Sequence, residues 1–173
     1  MKTVAFGLLL AFNAFSAHAQ LPSTHSRKNN MVAKVYLSSS GTVHIIHLDG
    51  TDTEIPKQEG EVGCSEPIIS DDRKSVGWVV DYDTGLPSSS PASGMLVIYR
   101  IRGPVLRLGG MPIIWKWRFL AGGKQVAFYT NTVHFARSPH FELRDVQTGR
   151  LLEKWNGPLD EKSPAWTDSL DNP

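Results

Sequence analysis

A single cysteine, Cys64, stands among the 173 residues, so no disulfide can close within the chain. Neither sign of charge dominates: 18 Lys and Arg face 17 Asp and Glu, for a formal net charge of +1. Such a balance gives no global reason to seek nucleic acid or an anionic membrane, and no nucleic-acid partner is expected. Apolar residues nowhere recur at helical spacing over about ten positions, which excludes an α-helical domain. Beyond the N-terminus no apolar run approaches the roughly 20 residues that a bilayer core demands. Gly-x-Ser-x-Gly, His-Glu-x-x-His and a phosphate-cradling glycine loop are all missing. A non-enzymatic chain is expected, with no residue assigned as catalytic, cofactor-binding or metal-ligating and no cofactor.

The first twenty residues, MKTVAFGLLLAFNAFSAHAQ, carry one cation at Lys2, an apolar run from Val4 to Phe15 and the small-residue pattern Ala17-His18-Ala19. That is the layout of a secretory signal peptide, 1–19, too short in its apolar run to span a bilayer. It predicts export to the periplasm or the extracellular space, with cleavage after Ala19 and no integral membrane segment afterwards. Without Lys2, 17 cations remain against 17 anions. Cys64, with no obvious His partner in Gly63-Cys64-Ser65-Glu66-Pro67, reads as a small hydrophobe; a reactive or intermolecular thiol is the sharper alternative.

Residues 20–33 are expected to form a flexible polar leader to a domain over 34–170. From there apolar residues come in short runs rich in Val, Ile, Tyr, Phe and Trp, separated by Gly, Pro, Asp and Ser. This is the signature of strands and turns, and an all-β class follows. Twelve strands are predicted, at 34–37, 43–48, 52–56, 67–70, 75–81, 95–101, 105–108, 114–120, 125–132, 140–145, 150–155 and 165–168. Residues 84–94, TGLPSSSPASG, read as a long Pro/Ser-rich loop.

The runs repeat. PIISDDRKSVGW (67–78) aligns with WRFLAGGKQVAF (117–128), so that Lys74, Val76, Gly77 and Trp78 fall on Lys124, Val126, Ala127 and Phe128. A third start appears at Pro164-Ala-Trp166-Thr-Asp168. The offsets are 50 residues, from 69 to 119, and 47, from 119 to 166. Between these units, HIIHLDG (44–50), LVIYRIRG (96–103) and FELRDVQTG (141–149) each run a strand into a tight turn. A further strand follows each: Thr53-Glu-Ile, Val105-Leu-Arg-Leu and Arg150-Leu-Leu-Glu. Antiparallel four-stranded units at 40–50-residue spacing are what propeller blades look like in sequence.

These segments resemble the WD40-like repeat of the TolB-type β-propeller, P-x-W-S-P-D-G-x-x-I-A-F followed by a strand and D-x-x-T-G. Pro67, Ser70, Asp72, Val76 and Trp78 match the first copy. Phe119, Gly123, Lys124, Val126, Ala127 and Phe128 match the second, with Asp145, Thr148 and Gly149 as its turn. Asp71 replaces the motif Pro, Arg73 its Gly, and Ala121-Gly122 its Pro-Asp. The resemblance implies a propeller-type fold and says little about function, since propellers host unrelated activities. The first unit lacks an innermost strand and the last copy is an innermost strand alone, which makes three blades in all. Three blades do not close a ring of four to eight. A homodimer completing a six-bladed ring, each chain lending its Trp166 strand, is one expectation; an edge-exposed monomer or a fragment are the others.

The candidates for chemistry are few. His44 and His47 sit at i and i+3 on a strand and point to opposite faces, which disfavours a shared metal. His134 and His140 flank the loop 135–139 and form the better metal pair. Asp81-Tyr82-Asp83-Thr84-Gly85 begins like a calcium loop, but its twelfth position is Ala92 where a bidentate Glu is required. Asp71-Asp72 read as turn residues whose carboxylates accept backbone N–H bonds. Alternation places Trp115, Trp117 and Phe119 on one strand face, either as core packing or as a platform for a small ligand or carbohydrate. The leading expectation is a protein-interaction or scaffold module with a protein partner; the carbohydrate platform and a metal-dependent protein centred on His134 and His140 are the alternatives.

Overall fold

The computed structural model describes residues 30–83, 92–110, 113–132 and 139–170. The expected signal peptide, the expected leader up to residue 29 and most of the loop after Asp83 lie outside them. The described chain is all-β, in three antiparallel sheets.

The first sheet holds β1 (Val32–Leu37), β2 (Val43–His47) and β3 (Asp52–Ile55), in that order. The second holds β4 (Glu61–Cys64), β5 (Ile68–Ile69), β6 (Ser75–Tyr82), β7 (Ala92–Arg100) and β8 (Leu106–Gly109). Its path runs β4-β6-β7-β8, with β5 also on β6. The third is the meander β9 (Ile113–Leu120), β10 (Gln125–Asn131), β11 (His140–Asp145) and β12 (Leu151–Asn156). Eleven of the twelve predicted strands coincide with these, with ends displaced by a few residues. The first unit, for which the sequence offered three strands, is a three-stranded sheet among the described residues.

Two expectations need correction. Residues 165–168 are not a strand: Ala165–Leu170 is a 3-10 helix. Pro164 accepts bonds from the Thr167 backbone N–H at 2.9 Å and its hydroxyl at 2.6 Å, which closes the turn locally. Among the described residues, the expected strand at 165–168 is therefore not available to pair with another chain. Conversely, β4 lies where no strand was predicted. Glu61–Cys64 lacks a β-branched run, but β6 is eight residues long and its far half pairs Glu61 with Tyr82 and Cys64 with Val80. β5 pairs the near half, Ile68 with Gly77 and Ile69 with Val76. Between them Pro67 has no N–H to give, and the Ser65 hydroxyl accepts the Val79 N–H at 2.9 Å. β4 and β5 are thus one interrupted edge strand, and the second sheet is four strands wide.

Burial follows strand alternation. Along β6, Val76, Trp78 and Val80 join Val32, Val43 and Ile45 in the core between the first two sheets. Val79, with Leu96 and Ile98 of β7, joins Ile114, Val126 and Phe128 between the second and third. The middle sheet is apolar on both faces because it is covered on both. Gly77 leaves room for its neighbour: a Cβ there would stand 2.6 Å from the Trp117 ring.

Two arginines tie the sheets. Arg73 stands where the repeat motif has Gly and adopts φ +57°, the left-handed conformation that Gly would adopt freely. Its Nε donates to Val32 O at 2.8 Å and its Nη2 to Ala33 O at 2.6 Å, while its own carbonyl accepts the Val32 N–H at 2.8 Å. These bonds hold β1 to the second sheet and offset the backbone strain. Arg100, buried, donates from Nη1 to Gln147 O and so binds the second sheet to the third.

Candidate functional site

β10 and β11 carry the most organised polar cluster. The register pairs Thr130 with His140, Phe128 with Glu142 and Val126 with Arg144. His140, Glu142 and Arg144 recur at period two on one face of β11, the face directed at the second sheet. They line a cleft of about 330 Å³ together with Phe128, Thr130 and the backbone of Gly109 and Gly110. Glu142 is the centre of the row: His140 Nε2 lies 3.0 Å from Oε1, and Arg144 Nε donates to Oε2 at 2.6 Å. Arg144 Nη1 also donates to Gly149 O at 2.9 Å, and His140 Nδ1 meets Asn156 Oδ1.

Burial pushes the Glu142 carboxyl up, but the bonds and charges of Arg144 and His140 outweigh it and hold the group below its ordinary value. Glu142 is therefore an ionised, fully engaged acceptor. The row is a preorganised polar wall whose rotamers are fixed by one another and by β12. Phe128, almost wholly buried, gives the cleft an apolar floor. Such a cleft accepts a ligand that presents both an apolar body and hydrogen-bonding groups.

The residues singled out in the sequence are distributed differently from this cluster. His134 lies outside the described residues. His140 has both ring nitrogens within hydrogen-bond reach of Asn156 and Glu142 and so is built into the row. His44 and His47 take opposite faces as expected. His47 is 8% exposed, between Thr53 Oγ1 at 3.0 Å and Tyr99 OH at 3.3 Å. His44 stacks on Tyr36, ring centroids 5.0 Å apart, and meets Asp52 at 3.0 Å. Among the described residues no three His, Cys, Asp or Glu converge to hold a metal ion.

The aromatic strand also departs from expectation. Tyr129 pairs with Lys116 but Thr130 with Ile114, so Trp115 is the extra residue of a β-bulge. The bulge resets the alternation: Ile114 joins Trp117 and Phe119 against the core between the second and third sheets. Trp115 is left 46% exposed, donating from Nε1 to Asn131 O at 3.2 Å. Trp117 and Phe119 meet edge to face, with centroids 5.4 Å apart. The three rings therefore do not form a common platform.

Cys64 packs at the edge of the core between the first and second sheets, its Sγ 3.8 Å from Gly41 O. Burial pushes its thiol up, which keeps it in the protonated, weakly nucleophilic form. Of the pair Asp71-Asp72, Asp72 accepts a backbone N–H as expected. Asp72 Oδ1 takes the Ser70 hydroxyl at 2.8 Å and the Lys74 N–H at 3.1 Å. Asp145 takes the Thr148 hydroxyl at 2.8 Å and its N–H at 2.7 Å, and the Thr148 side chain is the main cause of its lowered pKa.

The His140–Glu142–Arg144 row escaped the sequence reading, although one signal was present. HFELR alternates polar and apolar side chains, and its polar members are three residues able to pair with one another. What the string lacked was the identity of the sheet facing them.

No family model matches the chain, and no curated protein matches it. Among solved structures it is similar to Pyrococcus horikoshii acylaminoacyl peptidase in an orthorhombic crystal form, at 13% identity and a TM-score of 0.41. The similarity covers 72% of this chain and 22% of the peptidase chain, so this chain spans about a fifth of that protein's length. Among the described residues no helix is long and apolar enough to cross a membrane.

Proposed function

We propose that the chain is an exported, non-enzymatic binding module of propeller-type blades. The cleft between its second and third sheets would receive a side chain or loop of a protein partner. The observation that carries this reading is the ordered row His140–Glu142–Arg144 over the Phe128 floor, a polar wall beside an apolar seat. The blade arrangement is supported by the strand orders: two sheets each run from an inner edge strand outward through three more, and the first repeats that order with its inner strand missing. The secretory pattern of residues 1–19 supports export. The carbohydrate reading is weaker, because Trp117 and Phe119 pack in the core. A metal reading is weaker too, because His140 is already engaged on both nitrogens.

A peptide library selected on the immobilised mature chain, with parallel selection on Arg144→Ala, tests the reading. Selected peptides should lose at least tenfold in affinity on the variant, as removal of a charged hydrogen-bond partner in an interface does. Peptides that bind both chains equally, or a library that yields no binder while a glycan array does, would overturn it.

A further inference from the structure

The polar side chains that line the cleft between the second and third sheets are engaged with one another, except for part of one. Glu142 is occupied on both oxygens: Oε1 lies 3.0 Å from His140 Nε2, and Oε2 takes Arg144 Nε at 2.6 Å. The second ring nitrogen of His140 meets Asn156 Oδ1, and the Thr130 hydroxyl donates to His140 O at 3.4 Å. An arginine carries five N–H donors in one plane. Arg144 Nε goes to Glu142 and Nη1 to Gly149 O at 2.9 Å, whereas Nη2 has no partner among the described residues. What the side chains leave open to a ligand is a donor, which calls for an acceptor.

The charge points the same way. Glu142 is the only carboxylate among the residues lining the cleft, and Arg144 is already paired with it. Lys154 stands opposite Glu142 in the register of β11 and β12 and shares its face, exposed and without an ion pair among the described residues. An entering cation could reach Glu142 only by displacing Arg144 or His140, which breaks bonds already made in a partly buried site. An anion displaces nothing and gains a charge-assisted bond from Nη2.

Beside these donors the lining is apolar or bare backbone. Phe128 lies under the row, and Gly109 at φ +96° can carry no side chain, since a Cβ there would stand 2.9 Å from Ile114 Cδ1. The volume of about 330 Å³ is at the lower end of the range for ligand clefts. We propose that the group this cleft takes from a partner is a peptide carboxylate next to an apolar side chain, with Arg144 Nη2 as the donor. The planar guanidinium edge matches the two oxygens of a carboxylate. The inference rests on the reading of the cleft as a protein-binding site and names the chemistry that site selects.

Peptides selected from a random library on the chain, resynthesised and titrated by calorimetry, test it. Each is compared with forms in which one acidic side chain is replaced by its amide, and with a form amidated at the C-terminus. Loss of one carboxylate is expected to weaken binding about tenfold or more, as loss of a charged hydrogen-bond partner does. Sensitivity to a side-chain amide identifies an acidic side chain as the ligand; sensitivity to C-terminal amidation identifies the peptide end. On Arg144→Ala the acid and amide forms should bind alike. If that variant does not fold, Glu142→Gln combined with Arg144→Gln removes both charges together and carries the same measurement. The peptide comparison on the unaltered chain decides the carboxylate in either case. Peptides that depend on Arg144 but tolerate the loss of every carboxylate would overturn this inference and leave the protein-binding cleft standing. A library without binders, or binders indifferent to Arg144, would overturn both.

Discussion

The first and third sheets end the same stack in opposite ways. On β2 of the first sheet, Val43, Ile45 and His47 are buried while His44 and Ile46 are not, so one face meets the second sheet and the other meets solvent. On β10 and β11 of the third sheet both faces are buried, Val126 and Phe128 on one side, Ala127, Phe141 and Leu143 on the other. The polar end is maintained by ion pairing and ring stacking on the surface, interactions worth little each. The apolar end is maintained by removing large side chains from water, which is worth far more. A sheet's place in a stack is therefore written in its alternation, but only when the chain segment that covers it is counted as a neighbour.

Substitution on the two outward faces would sharpen that difference most. Phe141→Ala is expected to lower stability by about 3–5 kcal/mol, as loss of a buried aromatic does. The matching change on the first sheet, Tyr36→Ala, is expected to lower it by about 1 kcal/mol or less. Equal losses in denaturant unfolding would break the comparison. Next in size is Arg73→Ala, expected to cost about 1–3 kcal/mol, because the Val32 and Ala33 carbonyls lose their donors while the strained φ stays. An unchanged unfolding midpoint would show that β1 needs no tie to the second sheet.

The smallest expected effect is one of pH, at the inner face of the third sheet. The Glu142 carboxyl titrates below its ordinary 4.5 in the folded chain. Its stabilisation is therefore complete above the unfolded value and is lost as pH falls through the lower folded one. Glu142→Gln should flatten the acid side of the stability profile and leave the region above pH 5 with a constant offset. Thermal unfolding between pH 3 and pH 7 would read it; profiles of unchanged slope would exclude the row as an electrostatic element.

Much of the fold was legible because strand signals are local. Val43-His-Ile-Ile-His47 and Ser75–Tyr82 announce themselves by composition, and Asp145-Val-Gln-Thr-Gly149 by the bonds that Asp and Thr make within a turn. Where legibility failed, a distant partner decided. Glu61–Cys64 became a strand because the long β6 offered it an edge. The bulge at Trp115 arose because Ile114 was drawn into the core of the second and third sheets, and the aromatic row broke with it. Trp166 echoed a strand start in its neighbours, yet its side chain was taken by a sheet face and the following Thr167 closed a turn on the Pro164 carbonyl.

The order of the strands, their turns and the all-β class were determined by the sequence itself, since period-two alternation and turn chemistry act over a few residues. Only the tertiary structure decided which faces were covered, where the cleft lies, and that the C-terminal segment lies over a face and does not join an edge. Those outcomes depend on what area is left to remove from water once the sheets have stacked, a quantity no local pattern contains.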